Sequence, residues 1–226
     1  MENESKKKAK TISLEFMIIS LLFLAAVFVF GLIAHEAVYE NEKVFDDKVF
    51  TFFDGISTPG LISFMEVVTF FGSTLFLIPA YAVLLTYFLI KRRFAYAIQV
   101  AIIAVSSTVL MFLLKQVFHR QRPEFPIIEG ITSYSFPSGH ALSSFIFFSV
   151  LIYISFNATL KLALRWVSAI FFFLFAVAIA LSRIILRVHY PTDVIASFCL
   201  GTVWVTLSFW ILKKINKAKD SNANLQ

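Results

Sequence analysis

A helix needs about 20 predominantly apolar residues to cross the ~30 Å hydrocarbon core of a bilayer. Six stretches of this sequence meet or approach that measure, at 13–34, 69–90, 94–114, 141–155, 162–181 and 194–212. They follow one another almost without interruption, so no polar stretch is left that could build a separate soluble domain. The chain is 59% hydrophobic and only 15% charged, against roughly a quarter charged in an ordinary soluble domain. These features predict an all-α fold: one polytopic membrane domain over residues 1–226, with six transmembrane helices. The fourth stretch is short and is expected to begin in a polar turn near His140. The first follows Lys6, Lys7, Lys8 and Lys10 as a secretory signal would. It is too long for a signal core and lacks a cleavage site before His35-Glu36, so it reads as an uncleaved span.

The placement of charge orients the bundle. Cytoplasmic flanks of membrane helices carry the excess of Lys and Arg. Here the N-terminal lysines, Lys91-Arg92-Arg93, Lys161 with Arg165, and Lys213, Lys214, Lys217 with Lys219 occupy alternate connections. All four belong to the cytoplasmic side, with tails at 1–12 and 213–226 and both termini inside. The first loop, 35–68, holds Glu36, Glu40, Glu42, Asp46, Asp47 and Asp54 against Lys43 and Lys48 and belongs outside. Within it, the spacing of apolar residues over 44–53 predicts a short amphipathic helix lying on the membrane surface. The net charge of +6 is thus accounted for by topology, and nucleic acid is not an expected partner. The single cysteine, Cys199, sits inside an apolar run and builds neither a disulfide nor a metal site.

Two outer loops break the rule. The segment 115–140 carries Lys115, His119, Arg120 and Arg122, and the segment 182–193 carries Arg183, Arg187 and His189. Cations set against the topology bias call for a reason, and an anionic group bound between the two loops supplies one. Three short blocks hold the informative residues. In the first, Lys115 and Arg122 lie seven residues apart, two turns on one face of a continuing helix that Pro123 would end. An ammonium and a planar guanidinium suit phosphate oxygens. Taken alone, the pair reads more readily as interfacial snorkelling cations. In the second, Ser138, Gly139 and His140 open a helix after Pro137, where free backbone N–H groups and the dipole favour an anion. In the third, Arg183 ends the fifth span and Pro191 starts the sixth, so Asp193 in the first turn can reach back to His189. A carboxylate on one ring nitrogen fixes the tautomer and frees the other nitrogen for attack, and helix capping by Asp193 is compatible with that role. Arg120, Arg187 and His119 read as solvated interfacial charges.

Lys-x6-Arg-Pro, Pro-Ser-Gly-His and Ser-Arg-x5-His-x3-Asp, in this order, make the chain resemble the type 2 phosphatidic acid phosphatase family. That family belongs to the superfamily of bacterial acid phosphatases and vanadium haloperoxidases. Every fixed residue of the pattern is present. The resemblance implies a phosphatase in which His189 attacks phosphorus and forms a phosphohistidine, Asp193 orients it, and His140 protonates the leaving oxygen and then activates water. Lys115, Arg122, Ser138, Gly139 and Arg183 would hold the non-bridging oxygens, and no metal or other cofactor is implied. The partners implied are the bilayer and a lipid phosphate substrate in a plasma (inner) membrane, with the site on the extracytoplasmic face. Nothing points to an obligate protein partner. Undecaprenyl diphosphate is the first candidate lipid; phosphatidylglycerophosphate, phosphatidate and lipid A are alternatives. A vanadate haloperoxidase would use the same pocket, but those enzymes are soluble. A phosphate or lipid transporter would also need intramembrane cations, and phosphate release in detergent, without a gradient, separates it from an enzyme.

Overall fold

The computed structural model describes the backbone of residues 2–223 and the side chains of Leu14 and of 16–211. The tails expected at 1–12 and 213–226, with their lysines, lie outside that side-chain range. Eight helices follow in order: α1 (Glu2–Ile33), continued by a π-helical turn over Ala34–Tyr39, α2 (Val44–Ile56), α3 (Pro59–Phe70), α4 (Thr74–Ile90), α5 (Phe94–Phe118), α6 (Gly139–Asn157), α7 (Leu162–Ile185) and α8 (Pro191–Ala223). Among the described residues there is no strand. Six segments are long and apolar enough to cross a membrane: Phe16–Tyr39, Pro59–Ile90, Phe94–Phe118, Gly139–Asn157, Leu162–Ile185 and Pro191–Ile211. The chain is therefore a multi-pass membrane protein.

Helix α6 is central and touches α4, α5, α7 and α8, while α1 packs on α8 and α3 on α7. Phe88, Val100, Ile103, Leu142, Ile146 and Leu200 fill the space between α4, α5, α6 and α8. Val68, Leu77, Phe147, Phe148, Ala176 and Ile179 do the same where α3 and α4 meet α6 and α7. Many other large apolar side chains face outward, among them Leu21, Leu75 and Val83. A water-soluble fold would not leave such a surface; lipid accepts it because every helix satisfies its own backbone.

Two expectations change here. The second span, expected over 69–90 as one helix, is a broken pair with its first half starting at Pro59. Each half has its own N-cap: Thr58 accepts from Leu61 N–H at 3.2 Å ahead of Pro59, and Ser73 accepts from Phe76 N–H at 3.4 Å. Between them the chain tightens, with Gly72 N–H bonded to Thr69 O and Ser73 N–H to Phe70 O, both at 3.0 Å. The amphipathic helix exists as α2, but it is docked against the bundle rather than laid on a surface. Phe50 is buried with Ala180, Ile184, Tyr190 and Val194, and Asp46 is fully buried. A buried carboxylate needs partners, and Thr192 at the start of α8 and Arg120 in the segment after α5 bring those partners to α2.

Because neighbouring spans alternate in direction, one end of the bundle collects the end of α5 and the starts of α4, α6 and α8, with the end of α7. The turns holding Lys91-Arg92-Arg93 and Lys161 lie at the opposite end.

Candidate active site

At that first end, α7 stops at Ile185, the chain turns through Arg187 in the left-handed region (φ 51°), and Pro191 opens α8. His189 N–H bonds to Arg183 O at 3.3 Å, which brings the imidazole under the last turn of α7. Asp193 lies in the first turn of α8, and its Oδ2 accepts Tyr190 N–H at 3.0 Å. This is half of a capping box, so the helix-start geometry itself fixes the carboxylate. The same Oδ2 is 3.5 Å from His189 Nδ1. Ser135 Oγ sits between them, 3.3 Å from Nδ1 and donating to Oδ2. On the other side of the ring, Arg122 Nη1 is 3.2 Å from His189 Nε2. A guanidinium can only donate, so Nε2 must be the acceptor, and the neutral ring then carries its proton on Nδ1, facing Asp193. Burial pushes the His189 pKa down to about 3, with the carboxylate of Asp193 opposing the shift. The ring is neutral near pH 7.

The cations arrive from three elements. Lys115, on the last turn of α5, donates from Nζ to Tyr134 O. Arg122 donates to Ser133 O at 2.7 Å, to Val188 O at 2.6 Å and to Ser133 Oγ at 3.0 Å; burial lowers its pKa, countered by Asp193. Arg183, buried at the end of α7, donates to Thr69 Oγ1 at 2.6 Å, and its Nε has no partner. Their spacing predicts Lys115 and Arg122 on one helical face, but in the structure they do not share one. Helix α5 ends at Phe118, before Pro123 could act, because His119 takes the left-handed conformation (φ 48°) with its N–H on Lys115 O. The turn sends Arg120 and Arg122 inward to different partners.

Ser138 is the residue before α6, and its buried Oγ has no hydrogen-bond partner. Gly139 begins the helix; a Cβ there would lie 3.0 Å from Met111 Sδ, so packing against α5 already favours glycine. His140 follows, within coulombic reach of Arg183, His189, Arg122 and Lys115. Gly72, in the break between α3 and α4, lies against the same imidazole: a Cβ there would be 3.2 Å from His140 Cβ and Cδ2. All eight residues expected at the site are thus brought to one end of the bundle.

Several neighbours were not foreseen. Arg120 is not a solvated charge. It is buried, donates to Asp193 Oδ1 at 2.5 Å, to Thr192 Oγ1 at 2.8 Å and to Asp46 Oδ2 at 2.9 Å, and lies 4.1 Å from the centroid of the Tyr190 ring. Arg187 pairs with Asp54 and lies over Phe50. Ser135, Thr69 and Asp46 also contribute. The one sequence signal for them was an acidic residue on an otherwise apolar helical face at Asp46. Among the described residues, no group of three or more His, Cys, Asp and Glu side chains is gathered where a metal could sit.

A buried, neutral histidine backed by a carboxylate and fronted by side-chain cations, at one end of a membrane bundle, defines an integral membrane enzyme acting on an anionic group. The family model of the PAP2 superfamily matches residues 94–217, and the chain belongs to that superfamily. It is 26% identical over 194 residues to phosphatidylglycerophosphatase B of Bacillus subtilis (strain 168), covering 83% of this chain and 92% of that one. It is 28% identical over 193 residues to lipid A 4'-phosphatase of Bacteroides thetaiotaomicron, covering 78% and 81%. Among solved structures, a transmembrane PAP2-type phosphatidylglycerolphosphate phosphatase from Bacillus subtilis superposes with a TM-score of 0.75 at 26% identity, over 87% of this chain and 96% of that one. LpxE from Aquifex aeolicus gives 0.56 at 26% identity, over 72% and 93%. The protein is a membrane lipid phosphatase of this superfamily.

Proposed function

We propose that the chain removes a terminal phosphate from a lipid at the extracytoplasmic membrane face through a phosphohistidine on His189. The reading rests chiefly on the ring geometry: Nδ1 faces Asp193 and Ser135, while Nε2 faces the cations. In the first step Nε2 forms a bond to phosphorus as the bond to the leaving oxygen breaks, and His140 gives that oxygen its proton. The ring becomes cationic, and Asp193 stabilises it. In the second step His140 takes a proton from water, whose oxygen bonds to phosphorus as the N–P bond breaks. Lys115, Arg122 and Arg183, with the Ser138 hydroxyl and the Gly139 N–H, hold the non-bridging oxygens, since phosphoryl transfer is accelerated mainly by positioning and charge stabilisation. The unpartnered Ser138 Oγ and Arg183 Nε are donors in want of an acceptor, which a phosphate would provide.

The outward assignment is supported by Lys91-Arg92-Arg93, Lys161 and Arg165 at the end of the bundle away from the site. Undecaprenyl diphosphate is the first candidate lipid. The match to a phosphatidylglycerophosphatase along most of both chains favours phosphatidylglycerophosphate as the second. The deciding experiment measures phosphate release by purified protein from these two lipids, phosphatidate and lipid A, and ranks them by kcat/KM. His189→Ala should be folded and inactive, EDTA should not inhibit, and a rapid quench should trap an acid-labile phosphoryl label. Turnover retained in His189→Ala sinks the nucleophile assignment.

A further inference from the structure

Helix α2 lies outside the six spans, yet its Asp46 is as deeply buried as Asp193. Asp46 Oδ1 accepts the backbone N–H of Thr192 at 2.8 Å, and Oδ2 accepts Thr192 Oγ1 at 2.7 Å and Arg120 Nη2 at 2.9 Å. Arg120 reaches from Asp46 to Asp193 with its two terminal nitrogens, and Nη1 also donates to Thr192 Oγ1. Thr192 therefore receives from Arg120 and donates to Asp46, so both Asp46 oxygens act as acceptors, the pattern an ionised carboxylate fills best.

We infer that Asp46 is a positioning residue for the reaction: through Arg120 and Thr192 it holds Asp193 in place and supplies the negative charge that Arg120 would otherwise cancel. This rests on the proposed phosphohistidine mechanism. With Arg120 and Asp193 alone, the buried cluster behind His189 would be neutral. Asp46 makes it net negative, and that surplus opposes the positive charge which appears on His189 when Nε2 bonds to phosphorus. The surplus matters because Arg122, 3.2 Å from Nε2, and Arg183 nearby disfavour a further cation on the ring. Burial raises the pKa of Asp46, and the hydrogen bonds from Thr192 and the charge of Arg120 oppose that shift.

Asp46 touches neither the ring nor the proposed oxygen-binding side chains, which makes its contribution separable. Vanadate imitates the five-coordinate phosphorus and engages His189 Nε2, whereas inorganic phosphate uses only the oxygen-binding groups. In Asp46→Asn, which is isosteric but uncharged, kcat should fall and the ratio of the vanadate Ki to the phosphate Ki should rise. Both changes should be about ten- to hundredfold, within the range for groups coupled through one salt-bridge network. Asp46→Glu should recover part of the ratio. A loss of folded protein would lower activity per milligram without altering either Ki, so the ratio is blind to it. If Asp46→Asn does not fold, Asp46→Ser carries the same test, since it too removes the charge that faces Arg120 and leaves a polar side chain in its place. A ratio within twofold of wild type, or two Ki values that rise together, overturns the inference. His189→Ala measured alongside separates the failures: turnover in that variant overturns the mechanism itself, whereas a dead His189→Ala beside a normal Asp46→Asn overturns only the role of Asp46.

Discussion

Gly72→Ala tests whether the break in the second span belongs to the site. The added methyl would lie 2.6 Å from Ile179 Cγ2 and 3.2 Å from Cβ and Cδ2 of His140. Carbon atoms in contact prefer about 3.5–4.0 Å, so Ile179 must retreat by about 1 Å and His140 by a few tenths of an ångström. Ile179 is fully buried among Val68, Leu77 and Phe148, so neither neighbour yields freely. Overpacking of one methyl costs about 1–3 kcal/mol, which for a chain of this size lowers Tm by roughly 2–12 °C. A misplacement of about 1 Å at a reacting group can cost about a hundredfold in rate; the smaller shift of His140 should cost about tenfold in kcat with little change in KM. The assay is phosphate release from one lipid in detergent, with a thermal scan of the same preparation. The double variant Gly72→Ala/Ile179→Leu removes the branch that the methyl strikes but keeps the contact with His140. It should regain much of the Tm while kcat stays low. A Gly72→Ala variant with wild-type kcat and Tm would refute the close approach of the α3–α4 break to His140.

Two further outcomes follow from the buried charges. Arg120→Met should strand Asp46 and Asp193 without their shared cation, and breaking a buried pair in this way costs about 3–5 kcal/mol; a thermal scan should find Tm lower by roughly 6–20 °C, and an unchanged Tm would mean Arg120 is not the link. His189 has its folded pKa lowered to about 3 against about 6.5 unfolded, so between those values the unfolded chain binds the extra proton. The ring's contribution to stability is therefore intact above about pH 6.5 and lost as pH falls toward 3, and the Tm of wild type should drop more steeply than that of His189→Asn over this window. Parallel Tm profiles for the two proteins would argue that the ring is not held neutral by burial.

Most of the fold was legible because lipid imposes a length and a polarity on every helix that crosses it, and residues such as Leu75 and Val83 satisfy that demand whatever they touch. What escaped was decided by contacts between elements. The break at 71–73 carries a local signal, a glycine followed by a serine able to cap, but it is a weak one inside so apolar a run. Helix α2 was legible as amphipathic. The burial of Asp46 was signalled only by its place on the apolar face of α2, since an exposed loop aspartate and one bonded to Thr192 and Arg120 are the same letter. The spacing puts Arg122 on a continuing helix with Lys115 and leaves Arg120 a solvated charge, and the left-handed turn at His119 overturns both.

The motif residues were legible as chemistry because each type is matched to an anion, but their spacing does not say what holds like charges together before the anion arrives. Lys115, Arg122 and Arg183 share one small volume, which is unfavourable by mutual repulsion. Lys115 is held by Tyr134 O, Arg122 by the carbonyls of Ser133 and Val188, and Arg183 by the hydroxyl of Thr69. Three of these four anchors are backbone oxygens, which any residue type provides, so no sequence motif records them. The segment 123–135 is thus a structural part of the site: its carbonyls at Ser133 and Tyr134 hold Arg122 and Lys115 in readiness, and a phosphate entering between them would exchange those neutral acceptors for charged ones.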